Sequence, residues 1–179
     1  QQRSRVAWVP QRSEVDWQYP ISVQQAVLLG RVAALGWGRS PGPRDRALAT
    51  QALARVGLAD FAQRRLASLS GGQQQRVFWA RALAAEAELF LLDEPFAAID
   101  RPTVADLFGL CRELTGQGKT VVLSCHEEGS ILQQCDRLLG LAGRVVVWAP
   151  PTEVDPHWLA SWGPSPPAVN GHRPLDVTC

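Results

Sequence analysis

The run Glu-Leu-Phe-Leu-Leu-Asp-Glu-Pro at residues 88–95 restricts the fold more than any other stretch of the chain. Leu89 to Leu92 form a continuous apolar run without alternation, too short for a buried helix. They read as a strand covered on both faces, as in the centre of a parallel sheet. Asp93 and Glu94 close that strand. In open α/β sheets the C-terminal edge of the strands is where ligands bind, so the two acids stand where chemistry is expected.

The neighbouring segments supply the partners such a strand needs. Residues 5–9 alternate and end at Pro10, which cannot donate to a sheet ladder, so they read as a strand followed by a loop at Gln11. From Ile21 to Leu35 apolar positions recur at helical spacing with Ser22 as cap, and the Gly- and Pro-rich stretch 36–44 breaks the pattern. Residues 44–57 predict a second amphipathic helix closed by Gly57. A short helical piece and the Gly71-Gly72 turn then lead into a long helix from about Gln73 to Ala85. Residues 101–118 predict a helix, 120–125 a strand, 128–139 a helix and 140–151 one or two edge strands. Strand alternating with helix predicts an α/β fold with a parallel sheet.

At 179 residues the chain suffices for one core and a small subdomain. A formal net charge of +1 lacks the basic excess of a nucleic-acid surface, so no nucleic-acid partner is expected. Cys111, Cys125, Cys135 and Cys179 show no zinc-ligand spacing and predict thiols in a reducing compartment. No apolar run approaches the roughly 18 to 20 residues that span a bilayer. The tail from Pro150 is rich in Pro and Gly, and residues 164–179 are expected to be disordered. The sequence has no methionine and opens without a preceding element, so it is expected to be incomplete on its N-terminal side.

Lys119, the only lysine, sits in Gly118-Lys119-Thr120, the ending of a phosphate-binding P-loop. A P-loop follows a strand and opens a helix, so that its amides and the helix N-terminus face the phosphates. Here a helix precedes and a strand follows, and Glu113 stands where the loop requires its first glycine. Residues 116–118 therefore predict a helix-to-strand turn with Lys119 on its exposed edge.

Five segments, taken in order and at their spacing, resemble the ATP-binding-cassette (ABC) ATPases, and the match runs through most of the chain. Leu69-Ser70-Gly71-Gly72-Gln73 is similar to the family signature, and Leu89 to Leu92 with Asp93-Glu94 to Walker B. Residues 97–100, ending in Asp100, are similar to the D-loop. His126 stands where the switch histidine belongs, and Gln11 is similar to the Q-loop glutamine. Residues 9–31, with Arg12-x-x-x-Asp16-Trp17, Tyr19-Pro20 and Gly30-Arg31, resemble most closely the cassettes of manganese, zinc and iron importers. The fold class implied is α/β, a P-loop-NTPase-like parallel sheet with an α-helical subdomain over about 18–85. It would lack the family's N-terminal strands and P-loop. Residues 1–163 would form this partial ATPase domain.

The resemblance implies ATP and Mg²⁺ as cofactors, and each role has a physical reason. Asp93 and Gln11 would hold Mg²⁺, a hard cation that takes oxygen ligands. Glu94 would be general base for the attacking water, an effect of about 10²–10⁴ in rate, and His126 would contact the γ-phosphate and orient that water. Gly71 and Gly72 let backbone approach an anion while Ser70, Gln73 and the helix dipole complete a clamp on the nucleotide of an opposite subunit, which Asp100 would also contact. Ser70 alone would be an ordinary helix cap. The partners implied are a second ATPase subunit, as a homodimer or pseudo-dimer, and a transmembrane permease. The chain would sit peripherally on the cytoplasmic face of the membrane.

Two departures are visible: Glu127 follows the histidine where Asp is usual, and Ile99 precedes Asp100 where Leu is usual. Without a P-loop, about five charge-assisted bonds at about 1.5–3 kcal/mol each are lacking, a loss comparable to an entire micromolar affinity. Poor ATP binding by these residues alone is expected, as is a marginally stable sheet with an exposed edge. Two rival readings are a non-catalytic cassette-fold interaction protein and a DNA-repair type ABC ATPase. The compact spacing from Gln11 to Ser70 leaves no room for the long insertions of the latter.

Overall fold

A computed structural model describes residues 5–11, 16–36, 38–96, 99–124, 134–141 and 144–154. The chain divides into two compact units, residues 1–125 and 126–179. The expected tail at 164–179 lies outside the described residues.

In the first unit, β1 (Val6–Val9), β2 (Leu89–Leu92) and β3 (Thr120–Leu123) form a parallel sheet in the order β1-β2-β3. The register aligns Val9 with Leu92 and Leu92 with Leu123, so the strands end together. Two long helices, α4 (Gly71–Ala84) and α5 (Arg101–Gly116), are joined by a stack of rings. Trp79 lies on Phe96 at 5.9 Å and Phe96 on Phe108 at 4.7 Å between centroids. Ala7, Val9, Phe90 and Leu92 are buried on one side of the sheet. The opposite side differs from the two-sided burial expected of Leu89–Leu92: Trp8, Leu91 and Val122, neighbours in register, form an apolar row 37–54% exposed. Apolar composition shows what a strand can bury, whereas coverage depends on which helices return to which face.

Between β1 and α4 the chain is helical. Helix α1 (Val23–Leu28) starts at Ser22, whose hydroxyl accepts from Gln25 N while Gln25 Oε1 accepts from Ser22 N, a reciprocal cap. A 3₁₀ turn at Leu29–Arg31 leads into α2 (Val32–Leu35), and α3 (Pro43–Arg55) packs with α1 on α4. A Cβ at Gly30 would lie 2.2 Å from the Arg81 carbonyl oxygen, so only glycine permits this approach. The adjacent Arg31 is buried, and its guanidinium donates to Asp45 Oδ1 at 3.0 Å, Glu86 Oε2 at 2.9 Å and the Ala84 carbonyl at 2.8 Å. The Arg31 hydrogen bond, followed by the Gly42 N–H, holds the Asp45 carboxyl below the usual carboxylate range.

The turn after α5 explains Lys119. Gly118 takes φ +78°, its N–H donates to Thr115 O at 2.9 Å, and Lys119 N donates to Leu114 O at 3.0 Å. This pair of bonds is a Schellman helix stop, with the glycine in the left-handed position. The expected helix-to-strand turn is present, although Gly116 still belongs to the helix and Lys119 is half-buried rather than exposed.

In the second unit, β4 (Leu138–Leu141) and β5 (Val145–Ala149) pair antiparallel, and Leu138, Val147, Ala149 and Val154 form a small core. The helix expected over 128–139 lies outside the described residues as far as 133. At its other end the expectation is corrected, because Leu138 and Leu139 belong to β4. Cys111 and Cys135 are thiols, and burial, then the charge of Asp136, pushes the Cys135 thiol up.

Candidate functional site

The common end of the three strands brings Gln11, Asp93 and Glu94 together. Asp93 N donates to Val9 O at 2.9 Å, which prolongs the β1–β2 ladder by one bond and places the acid at the sheet edge. Gln11 Nε2 donates to Glu94 Oε2 at 2.9 Å. Glu94 adopts φ +44°, in the left-handed region that costs a side-chain-bearing residue roughly 1–2 kcal/mol. Such strain concentrates where the surrounding structure fixes a functional side chain. The donor set at this edge is carboxylate and amide oxygen, which suits a hard divalent cation such as Mg²⁺: Asp93 and the Gln11 carbonyl oxygen would hold it. Such a cation would neutralise phosphate charge and orient water.

Ser124 is a member of this group that the sequence reading missed. Its hydroxyl donates to Asp93 Oδ1 at 2.6 Å and accepts from Glu94 N at 3.0 Å. The signal for it is the register, since residue 124 follows Leu123 just as 93 follows Leu92.

The signature residues gather separately. Ser70 caps α4: its hydroxyl accepts from Gln73 N at 3.4 Å and its own N–H donates to Gln73 Oε1 at 2.9 Å. Both side chains thus serve the helix start, and the amides of Gly71 and Gly72, in its first turn, have no acceptor within the helix. Ser70, Gly71, Gly72 and Gln73 line a hollow of about 360 Å³ together with Arg76, Ile99 and Asp100. Free first-turn amides and the positive helix end suit an anionic group such as phosphate. Asp100 caps α5, its carboxylate accepting from Thr103 N at 3.2 Å and from the Thr103 hydroxyl at 3.0 Å. These two bonds, with a smaller contribution from the Arg76 charge, hold the Asp100 carboxyl below its ordinary value. Arg76, also missed from sequence, is fixed by a 3.2 Å bond to the Val56 carbonyl.

Gln11, Asp93 and Glu94 do not line the signature hollow. The two groups are nonetheless joined within the unit, because the Trp79 indole of α4 donates to Pro95 O, immediately after Glu94, at 3.0 Å. His126, Ala97 and Ala98 lie outside the described residues, so the expected role of the histidine has no geometry here.

A parallel α/β sheet with acids at its C-terminal edge, set against a glycine-led helix, defines an α/β domain of the nucleotide-binding cassette class. The sequence profile described as "ABC transporter" matches residues 1–97. The chain is 45% identical over 145 residues to the zinc transport system ATP-binding protein TroB of Treponema pallidum, covering 81% of this chain and 54% of that protein. It is 41% identical over 153 residues to the manganese transport system ATP-binding protein MntB of Bacillus subtilis, covering 86% and 61% respectively. Among solved structures, an ABC transporter in an inward-facing conformation matches with TM-score 0.67 and 32% identity over 75% of this chain and 53% of that one. The chain belongs to the ABC transporter family. It spans between half and two thirds of the length of these relatives.

Proposed function

We propose that this chain forms part of the ATP-binding subunit of an ABC transporter, coupling ATP hydrolysis to movement of a metal ion across a membrane. Manganese, zinc and iron are the cargo suggested by the names of the related proteins. The observation that carries the hydrolytic reading is the 2.9 Å bond between Gln11 and Glu94, which joins the Q-loop-like residue to the acid closing β2. In this reading Glu94 accepts the proton of the attacking water, Asp93 and Gln11 hold Mg²⁺, and His126 contacts the γ-phosphate. Ser70, Gly71, Gly72 and Gln73 face the nucleotide of a second ATPase subunit, and Asp100 contacts that subunit. The separation of the signature hollow from the acid edge supports this head-to-tail arrangement.

Residues 18–85 form the subdomain on which a permease rests, and through it the chain is peripheral on the cytoplasmic side of the membrane. No helix among the described residues is long and apolar enough to cross a bilayer, in keeping with attachment through a partner. The cargo passes through the permease and touches no residue of this chain.

Residues 1–179 contain no GxxxxGK[ST] sequence, and on their own they bind ATP weakly. A second reading is a cassette-fold interaction protein without hydrolysis. Glu94→Gln separates the two. In the intact ATPase it lowers turnover by about 10²–10⁴ while ATP binding survives. Unchanged turnover removes Glu94 from its role, and micromolar ATP binding by residues 1–179 alone overturns the weak-binding reading.

A further inference from the structure

Ser124 belongs to none of the motifs that carry the family resemblance, yet it touches both acids. It stands one residue beyond β3, where its N–H donates to Leu92 O at 2.9 Å and so extends the β2–β3 ladder. Backbone pairing therefore fixes the position of its side chain relative to β2. From there one oxygen makes two bonds of opposite sense, donating to Asp93 Oδ1 and accepting from Glu94 N. A hydroxyl can do both at once, whereas an alkyl side chain can do neither.

The bond to Oδ1 selects one orientation of the Asp93 carboxylate and leaves Oδ2 without a hydrogen bond among the described residues. The bond to Glu94 N holds the peptide that enters the left-handed turn at φ +44°, and this turn directs the Glu94 carboxylate to Gln11. We propose that Ser124 is a positioning residue for the acid pair, setting which Asp93 oxygen faces the cation and keeping the Glu94 backbone in its left-handed turn. This rests on the reading of Asp93 as a Mg²⁺ holder and Glu94 as the base.

The test compares Ser124→Ala and Ser124→Thr in the intact ATPase. The Mg²⁺ concentration for half-maximal hydrolysis, the KM for ATP and the exchange rate of the Glu94 amide hydrogen are measured together. In Ser124→Ala the Glu94 amide exchanges about tenfold faster and the Mg²⁺ requirement rises about tenfold, the usual range for removing a support of a metal ligand. The KM for ATP at saturating Mg²⁺ stays within about twofold, and Ser124→Thr, which keeps the hydroxyl, restores both properties. A faster amide with an unchanged Mg²⁺ requirement reduces Ser124 to a structural contact and overturns the proposal, as does a Thr variant no better than Ala. Ser124 is exposed, and equal thermal midpoints for the Ala and Thr variants exclude misfolding as the cause. Retained turnover in Glu94→Gln would remove the base itself, a result separable from the Ser124 measurements because the amide exchange is read independently of hydrolysis.

Discussion

Gln11 and Glu94, 83 residues apart in sequence, are joined by a 2.9 Å side-chain hydrogen bond at the end of the β1–β2 pair. The bond needs an amide donor on one side and a carboxylate on the other. Gln11→Glu places two carboxylates in its stead, and like charges at this distance repel. The expected result is a thermal midpoint below that of the wild type at low ionic strength, with the gap narrowing in about 1 M salt as the charges are screened. Thermal unfolding at both salt concentrations measures this, and an equal deficit at both would show that charge is not the cause.

Arg31 carries its charge in a buried setting with Asp45, Glu86 and the Ala84 carbonyl as partners. Removing the cation leaves Asp45 buried without its main partner, so Arg31→Ala is expected to cost about 3–5 kcal/mol, measured by denaturant unfolding. Asp45→Asn keeps a hydrogen-bond acceptor and costs less. The pH dependence follows from the depressed carboxyls of Asp45 and Asp100. Each stabilises the fold above the ordinary carboxylate value, near pH 4, and that stability is lost as pH falls through the depressed folded value. The Asp45→Asn, Asp100→Asn double variant therefore loses less stability than the wild type between pH 5 and pH 2.

Gly30→Ala sets a methyl group 2.2 Å from the Arg81 carbonyl oxygen, against backbone that cannot swing aside. Overpacking of this kind costs about 1–3 kcal/mol, read as a lower denaturation midpoint with an unchanged slope. A neutral result would mean that the turn at Leu29–Arg31 shifts freely away from α4.

What the sequence made legible were features written in local order. The apolar run 89–92, its two acids, the Ser22 and Ser70 caps and the failure of Gly118-Lys119 as a phosphate loop follow from neighbours a few residues apart. Contacts set by pairing register were not legible: Ser124 meets Asp93 only because β3 runs beside β2 in a particular alignment. The Arg31 cluster draws on residues 31, 45, 84 and 86, and the Gly30–Arg81 approach spans 51 positions, with no periodic signal in either case. Leu138 and Leu139 misled because a short apolar stretch suits either a helix end or a strand, and the pairing with β5 decides the matter.

The indole bond from Trp79 to Pro95, reinforced by the Trp79–Phe96–Phe108 stack, makes the glycine-led helix and the turn after Glu94 a single lever. A tilt of α4 at the end that bears Ser70 pulls, through the indole, on the backbone that follows Glu94, so a displacement at the signature hollow is passed on to the acid edge of the sheet.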